Sequence, residues 1–237
     1  MHIGPKIVFR FGDSSFYITN TVVFTVCLVI VMIVGALLLT RKMERIPGKA
    51  QTIAEAIVEG LYGLVEETMG KEGARRYGAY FGTLFTFLIL ANALGLFGFR
   101  PITADVNTTF ALSSITFVLI AYTAIRTYGY WGHWKEMCEP YPFMLPLKLV
   151  EKVSLPISLA FRLFGNILGG MIVMELIFEA LGSASEALHL PVPLLQAVIP
   201  LIPNAFFDMF EPVLQAYIFT MLSMVFVAME LPQEEGH

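Results

Sequence analysis

Ser158-Leu159-Ala160-Phe161-Arg162-Leu163-Phe164-Gly165-Asn166 places one guanidinium inside a stretch that otherwise reads as membrane-embedded helix. No lysine, arginine or acid follows until Glu175. An arginine at the bilayer centre costs roughly 2.5–3.5 kcal/mol on insertion scales. It cannot lower that cost by losing its proton, because guanidinium stays charged at any physiological pH. Arg162 is therefore either paired structurally or used.

The composition around this stretch is 57% hydrophobic and only 14% charged. Soluble domains carry about 25% charged residues, so the chain reads as an all-α polytopic membrane protein, 1–237 forming a single membrane domain. Its formal net charge of −4 says little about partners when most of the surface faces lipid. With no basic run and no zinc pattern, nucleic acid is not suggested. Cys27 and Cys138 are far apart and form neither a disulfide framework nor a metal pattern; they read as small hydrophobes. No phosphate loop, catalytic triad or metal cluster is present, so neither cofactor nor enzymatic chemistry is expected.

Outward from that stretch, the chain divides by charge. Residues 1–16 are a short polar start with Lys6 and Arg10, and residues 17–40 are free of charge. That length crosses a hydrocarbon core of about 30 Å. A signal peptide would have a shorter apolar core and a small-residue cleavage site, so a retained first span is expected. Arg41, Lys42, Arg45 and Lys49 follow, which puts that end in the cytoplasm and the N-terminus outside. Over residues 47–70, Ile53, Ile57, Leu61, Leu64 and Val65 recur at helical spacing, with Glu55, Glu59, Glu66 and Glu67 mostly away from them. This predicts an amphipathic helix ended by Gly70, lying on the inner surface or packed on the soluble part of another subunit.

Residues 77–99 and 106–125 read as a transmembrane hairpin with a short outer turn. Pro140, Pro142 and Pro146 then break helix. Residues 147–181 carry a helical pattern of about 35 residues, or about 50 Å, which exceeds a crossing unless the helix tilts steeply. A matching helix over 194–229 returns inward, bent by Pro200, Pro203 and Pro212. The loop between them has no lysine or arginine, as expected outside, and its His189 reads as simply solvated.

The polar residues of this long pair sort by face. At 100° per residue, Arg162, Asn166, Gly169 and Val173 share one stripe, and Met171, Glu175 and Glu179 a roughly opposite one. Asp208, Glu211 and Gln215 share a face of the last helix. Such groups are tolerated at membrane depth only against protein or a water-filled cavity. The pattern therefore predicts an acidic, wettable lane on the outer half, and Glu151 with Lys148 and Lys152 on the inner half. Arg162 lies between. Asn92, Asp105 and Asn107 are either helix caps or part of the outer aqueous path. Gly165 and Gly169 form a small-xxx-small pair, read as close helix packing that could admit a neighbouring ring.

Pro156-Ile157-Ser158-Leu159 followed by Arg162-Leu163-Phe164-Gly165-Asn166 resembles the signature of subunit a of F-type rotary ATP synthases. Ala91-Asn92-Ala93-Leu94-Gly95-Leu96, Ala104-Asp105-Val106-Asn107-Thr108-Thr109 and Gln215-Ala216-Tyr217-Ile218-Phe219-Thr220-Met221-Leu222 resemble further family blocks, in the family's order. The resemblance spans residues 77–227. It implies a non-catalytic stator subunit that carries ions past a rotating c-ring through two half-channels, with ATP chemistry on other subunits. The implied partners are the c-ring, the peripheral-stalk b subunits and membrane lipid, in a bacterial plasma membrane or alternatively a thylakoid membrane. By the same likeness Arg162 matches the family's essential arginine, Asn166 its following asparagine, and Gln215 the glutamine expected near that arginine.

Two positions depart from the pattern. Many bacterial members carry a glutamate nine residues after the arginine, where this chain has Met171, with Glu175 one turn further out. Seven residues before the glutamine, often histidine, stands Asp208, followed by Glu211. The resemblance thus implies an outer lane with shifted members, while Glu151 sits where members carry polar or acidic residues on the exit side. Sodium- and proton-driven members share the arginine motif, so the ion stays open. A secondary transporter with a midplane arginine is the runner-up, but paired repeats and broken helices in both halves are missing. A purely structural anchor would not need acids on two embedded faces.

Overall fold

The computed structural model describes residues 7–10, 17–41, 43–138, 141–188, 195–196 and 199–232. Among the described residues, five helices are long and apolar enough to cross a membrane: Asn20–Thr40, Lys49–Phe97, Val106–Gly132, Leu145–Ala187 and Leu201–Ala228. One small non-helical element was not expected. β1 (Ile7–Arg10) pairs antiparallel with β2 (Tyr17–Thr19), whose β-branched and aromatic residues suit a pleated ribbon. The first long helix, α1 (Asn20–Thr40), consequently starts three residues later than the charge-free stretch. Its start is set by Thr19, whose Oγ1 accepts from the N–H of Val22. Its apolar side chains face outward, and Phe24 against Phe99 ties it to the rest of the chain.

α2 (Lys49–Ala93) is two helical arms joined at Gly70, whose φ of 73° and ψ of 174° break the helix. This backbone region is nearly exclusive to glycine, and here it makes a corner. The arms fold back on each other, so that a Cβ on Gly78 would lie 2.6 Å from the ring of Tyr62. Val65 and Met69 are buried by this fold, while Ile53 and Ile57 at the far end stay exposed. A 3₁₀ turn, Leu94–Phe97, closes α2 at Gly98.

α3 (Val106–Cys138) carries the same device at Gly129 (φ 73°, ψ 164°), so helical structure continues well past residue 125 in a redirected arm. Thr109, Ser113, Thr116 and Thr123 form a buried stripe along it. Small hydroxyl residues let helices approach closely and find partners across the interface, as Tyr77 OH does with Thr123 Oγ1 at 2.7 Å.

α4 (Leu145–Ala187) runs from two residues before the expected start to six beyond the expected end, with Pro156 inside it. The final segment comprises a helical turn (Leu201–Asn204), a π-helical stretch (Ala205–Phe210) and α5 (Glu211–Ala228). Pro212 has no N–H to give the carbonyl four residues back, which accounts for the locally altered ladder. Of the three prolines expected to bend this segment, Pro200 and Pro203 precede the π-helical stretch and Pro212 follows it. The expected helix start at 194 and His189 lie outside the described residues. Phe81, Leu88, Leu163, Phe219, Met224 and Val227 form the centre of the core, where α2, α4 and α5 meet.

Candidate functional site

α4 and the final segment run antiparallel, and their polar contacts form a ladder. Lys152 meets Glu230 at 3.0 Å, Asn166 meets Gln215 at 2.7 Å, and Gln196 Nε2 donates to the carbonyl of Phe178 at 2.7 Å. One seam of α4 faces the protein: Leu159, Leu163, Ile167, Gly170 and Met174 are buried at spacings of three and four. Arg162 and Asn166 flank that seam on one side, Met171 and Glu175 on the other, and all four are exposed.

Arg162 has no carboxylate partner among the described residues. One turn along, the Nδ2 of Asn166 donates to the Oε1 of Gln215, whose side chain is 2% exposed. The other amide atom of Gln215, Nε2, is buried with no partner among the described residues. The structure thus brings Asn166 and Gln215 together beside the arginine, as a pair in which one member is covered and the other open.

A further turn along α4, Gly170 meets the π-turn. A Cβ there would lie 2.9 Å from Phe207 Cδ1 and 3.2 Å from Glu211 Oε2. The missing side chain makes room for the Glu211 carboxylate, which is half-buried against α4. By contrast, a Cβ on Gly165 or Gly169 would meet nothing within 4 Å, so that pair opens outward rather than packing within this chain. Glu175 and Glu179 are exposed and are not joined to Glu211. Asp208 lies in the π-turn, and its side chain is outside the described ones.

Asn92 is fully buried and bridges two elements: it donates to the carbonyl of Pro212 at 3.2 Å and accepts from Thr103 Oγ1. It thereby ties the end of α2 to the residue after Glu211. Asp105 caps α3, its Oδ1 accepting from both the backbone N–H and the Nδ2 of Asn107 at 3.0 and 3.1 Å. Of these three residues Asp105 acts as a helix cap, Asn107 is its donor, and Asn92 bridges two elements. Glu151 is exposed near the N-terminal end of α4, where it lines a cavity of about 220 Å³ with Lys148, Lys152 and Glu230.

The sequence reasoning missed Gly170, Phe207, Thr103 and Glu230. The Gly169-Gly170 doublet was a signal for the first, since a helix interior rarely spends two glycines without a close approach. Among the described residues no group of three metal-ligating side chains occurs.

The profile of a family described as "ATP synthase A chain" matches residues 21–228. The chain is 34% identical over 228 residues to ATP synthase subunit a of Moorella thermoacetica, covering 96% of each chain. It is 32% identical over 237 residues to ATP synthase subunit a of Bacillus subtilis, covering 95% of this chain and 96% of that one. It is also 30% identical over 235 residues to the sodium ion specific subunit a of Propionigenium modestum, covering 91% of this chain and 75% of that one.

Proposed function

The chain belongs to the ATP synthase A chain family, and from that premise we propose that it is the ion-translocating stator subunit of a rotary ATP synthase. The observation that carries this reading is Arg162: an embedded cation on an outward stripe of α4, with no carboxylate partner among the described residues and the Asn166–Gln215 bond one turn away. A charge so placed is expensive unless something outside the chain meets it.

A rotor carboxylate crossing lipid must be neutral, because burying it ionised is costly. Beside Arg162 its ionised form is favoured, so it releases its ion there. The same positive charge repels a cation that would pass directly between the two lanes. Each elementary charge moving down the membrane potential yields about 2.3 kcal/mol per 100 mV, and this turns the rotor only if that leak is closed. In this reading Glu175, Glu179, Asp208 and Glu211 serve the outer lane and Glu151 the inner one. Gln215 and Asn166 shape the ground around the arginine, and Asn92, Asp105 and Asn107 hold the outer ends of the helices that frame it. The c-ring lies against the Arg162 stripe, the b subunits hold the stator, and ATP chemistry is carried out by other subunits. The basic residues after α1 and around α3 support an N-terminus outside and a C-terminus in the cytoplasm of a bacterial plasma membrane.

The test is ATP-driven ion pumping by inverted vesicles, for wild type and Arg162→Ala, with and without sodium. Loss of pumping in an assembled mutant complex is the expected result, and sodium dependence of the wild type names the ion. Fully coupled pumping by the mutant would return Arg162 to a structural role.

A further inference from the structure

The inner ends of α4 and α5 hold an acid that the sequence does not single out. Glu230 lies in the turn that ends α5, its Oε1 3.0 Å from Nζ of Lys152, with the two side chains 13% and 25% exposed. The pair borders the cavity of about 220 Å³ whose polar wall is Lys148, Glu151, Lys152 and Glu230. Among the described side chains, α3 adds Phe117, Ile120 and Met137 to that wall, all uncharged. The space is roomy enough for several waters, each needing at least about 10–15 Å³, and its polar wall offers them partners.

Glu230 stands against local preference. The C-terminal end of a helix carries partial negative charge, which disfavours an anion there. Covering most of the carboxylate also strips its hydration. Lys152 offsets both costs. A group held against a local rule by one specific partner, facing a wettable cavity, is what a functional position produces.

We infer that Glu230 is a further ion-handling residue at the inner mouth, resting on the reading above that α4 and α5 line the ion path. Glu230 from the turn after α5 and Glu151 from α4 give the cavity carboxylates from two segments, and Lys152 fixes the first of them over the opening. An ion moving between the cytoplasm and the rotor then passes between carboxylates on both walls rather than along α4 alone.

ATP-driven pumping by inverted vesicles tests this, because their outer face presents the inner mouth to a chosen pH. Glu230→Gln should lower pumping about tenfold, because an amide cannot take up and release the ion, and should change its dependence on external pH. Lys152→Met removes the partner that fixes Glu230 but keeps the carboxylate, so it should lower pumping less than Glu230→Gln does and should retain a dependence on external pH. If Glu230→Gln does not assemble, Glu230→Asp takes its place: an altered pH profile supports the inference and an unaltered one overturns it. Equal losses in Glu230→Gln and Lys152→Met with unchanged pH profiles would show that Glu230 is only a tie between helices. Wild-type pumping by Glu230→Gln would also overturn it. Arg162→Ala measured alongside separates the two readings: if it is silent while Glu230→Gln is normal, only this inference fails.

Discussion

Asn166 and Gln215 meet across 2.7 Å, amide to amide, with Gln215 covered by the protein and Asn166 open on the face that carries Arg162. The bond uses the Oε1 of Gln215 and leaves its buried Nε2 without a partner among the described residues. A buried donor left unmade costs about 1–3 kcal/mol, so this is a position the fold does not favour by itself. Residues joined in one hydrogen bond lose their effects non-additively when replaced. Asn166→Leu and Gln215→Leu should each slow ATP-driven pumping, and the double variant should lose little more than the worse single one. Additive losses in that cycle would show the contact to be incidental.

Gly170 sits where α4 comes closest to the π-turn, and any side chain there meets Phe207 and Glu211. Overpacking of this kind costs typically about 1–3 kcal/mol. Gly170→Val should therefore reduce the amount of subunit assembled into membranes, as read by copurification with the rest of the complex. Gly63→Ala is the control, because a Cβ at Gly63 meets nothing within 4 Å. That change should leave assembly intact. Equal tolerance of both would mean that the two helices do not approach as described.

Among the described residues, the two glycine corners differ from a third positive-φ glycine in a way that can be measured. Gly70 and Gly129 have ψ of 174° and 164°, whereas Gly98 has φ 75° and ψ 10°. Asparagine tolerates the left-handed helical region of Gly98, but the extended positive-φ region is nearly closed to any side chain, at a cost of about 1–3 kcal/mol. Gly98→Asn should be tolerated better than Gly98→Ala. At Gly70, asparagine and alanine should be equally damaging to the melting temperature of the purified complex. Rescue by asparagine at Gly70 would contradict the corner.

These corners show how far the sequence could be read. Gly70 was legible as a helix end because the apolar stripe and the acids of residues 47–70 stop there. Gly129 was not, because aromatic residues and charges continue on both sides of it without a change of period. The long α4 and its polar faces followed from 3.6-residue spacing alone. The difference between Gly169 and Gly170 did not: one residue is 100° of rotation, and only the buried seam through Leu163, Ile167 and Met174 says which glycine faces a neighbour. Glu230 escaped notice because an acid near a chain end reads as a solvated tail until a lysine 78 positions away is brought beside it. The β1–β2 ribbon was hidden by the polar residues that surround it.

Asn92 separates a structural role from a place on the ion path. It is fully buried, donates to the Pro212 carbonyl and accepts from Thr103. Replacing it by alanine leaves Thr103 Oγ1 without its acceptor and the Pro212 carbonyl without this donor, in a region closed to water. Each group left unpaired costs about 1–3 kcal/mol, and the tie from α2 to the start of α5 is lost. Thr103→Val removes one of the two bonds and should be milder. If Asn92 acts as a tie, Asn92→Ala lowers the quantity of assembled complex while each complex that does form pumps at nearly the wild-type rate. If Asn92 carries ions, assembly stays normal and the rate per complex falls instead. Quantifying the subunit by copurification and dividing pumping by that amount distinguishes the two, and a lowered rate per complex at full assembly would overturn the structural assignment.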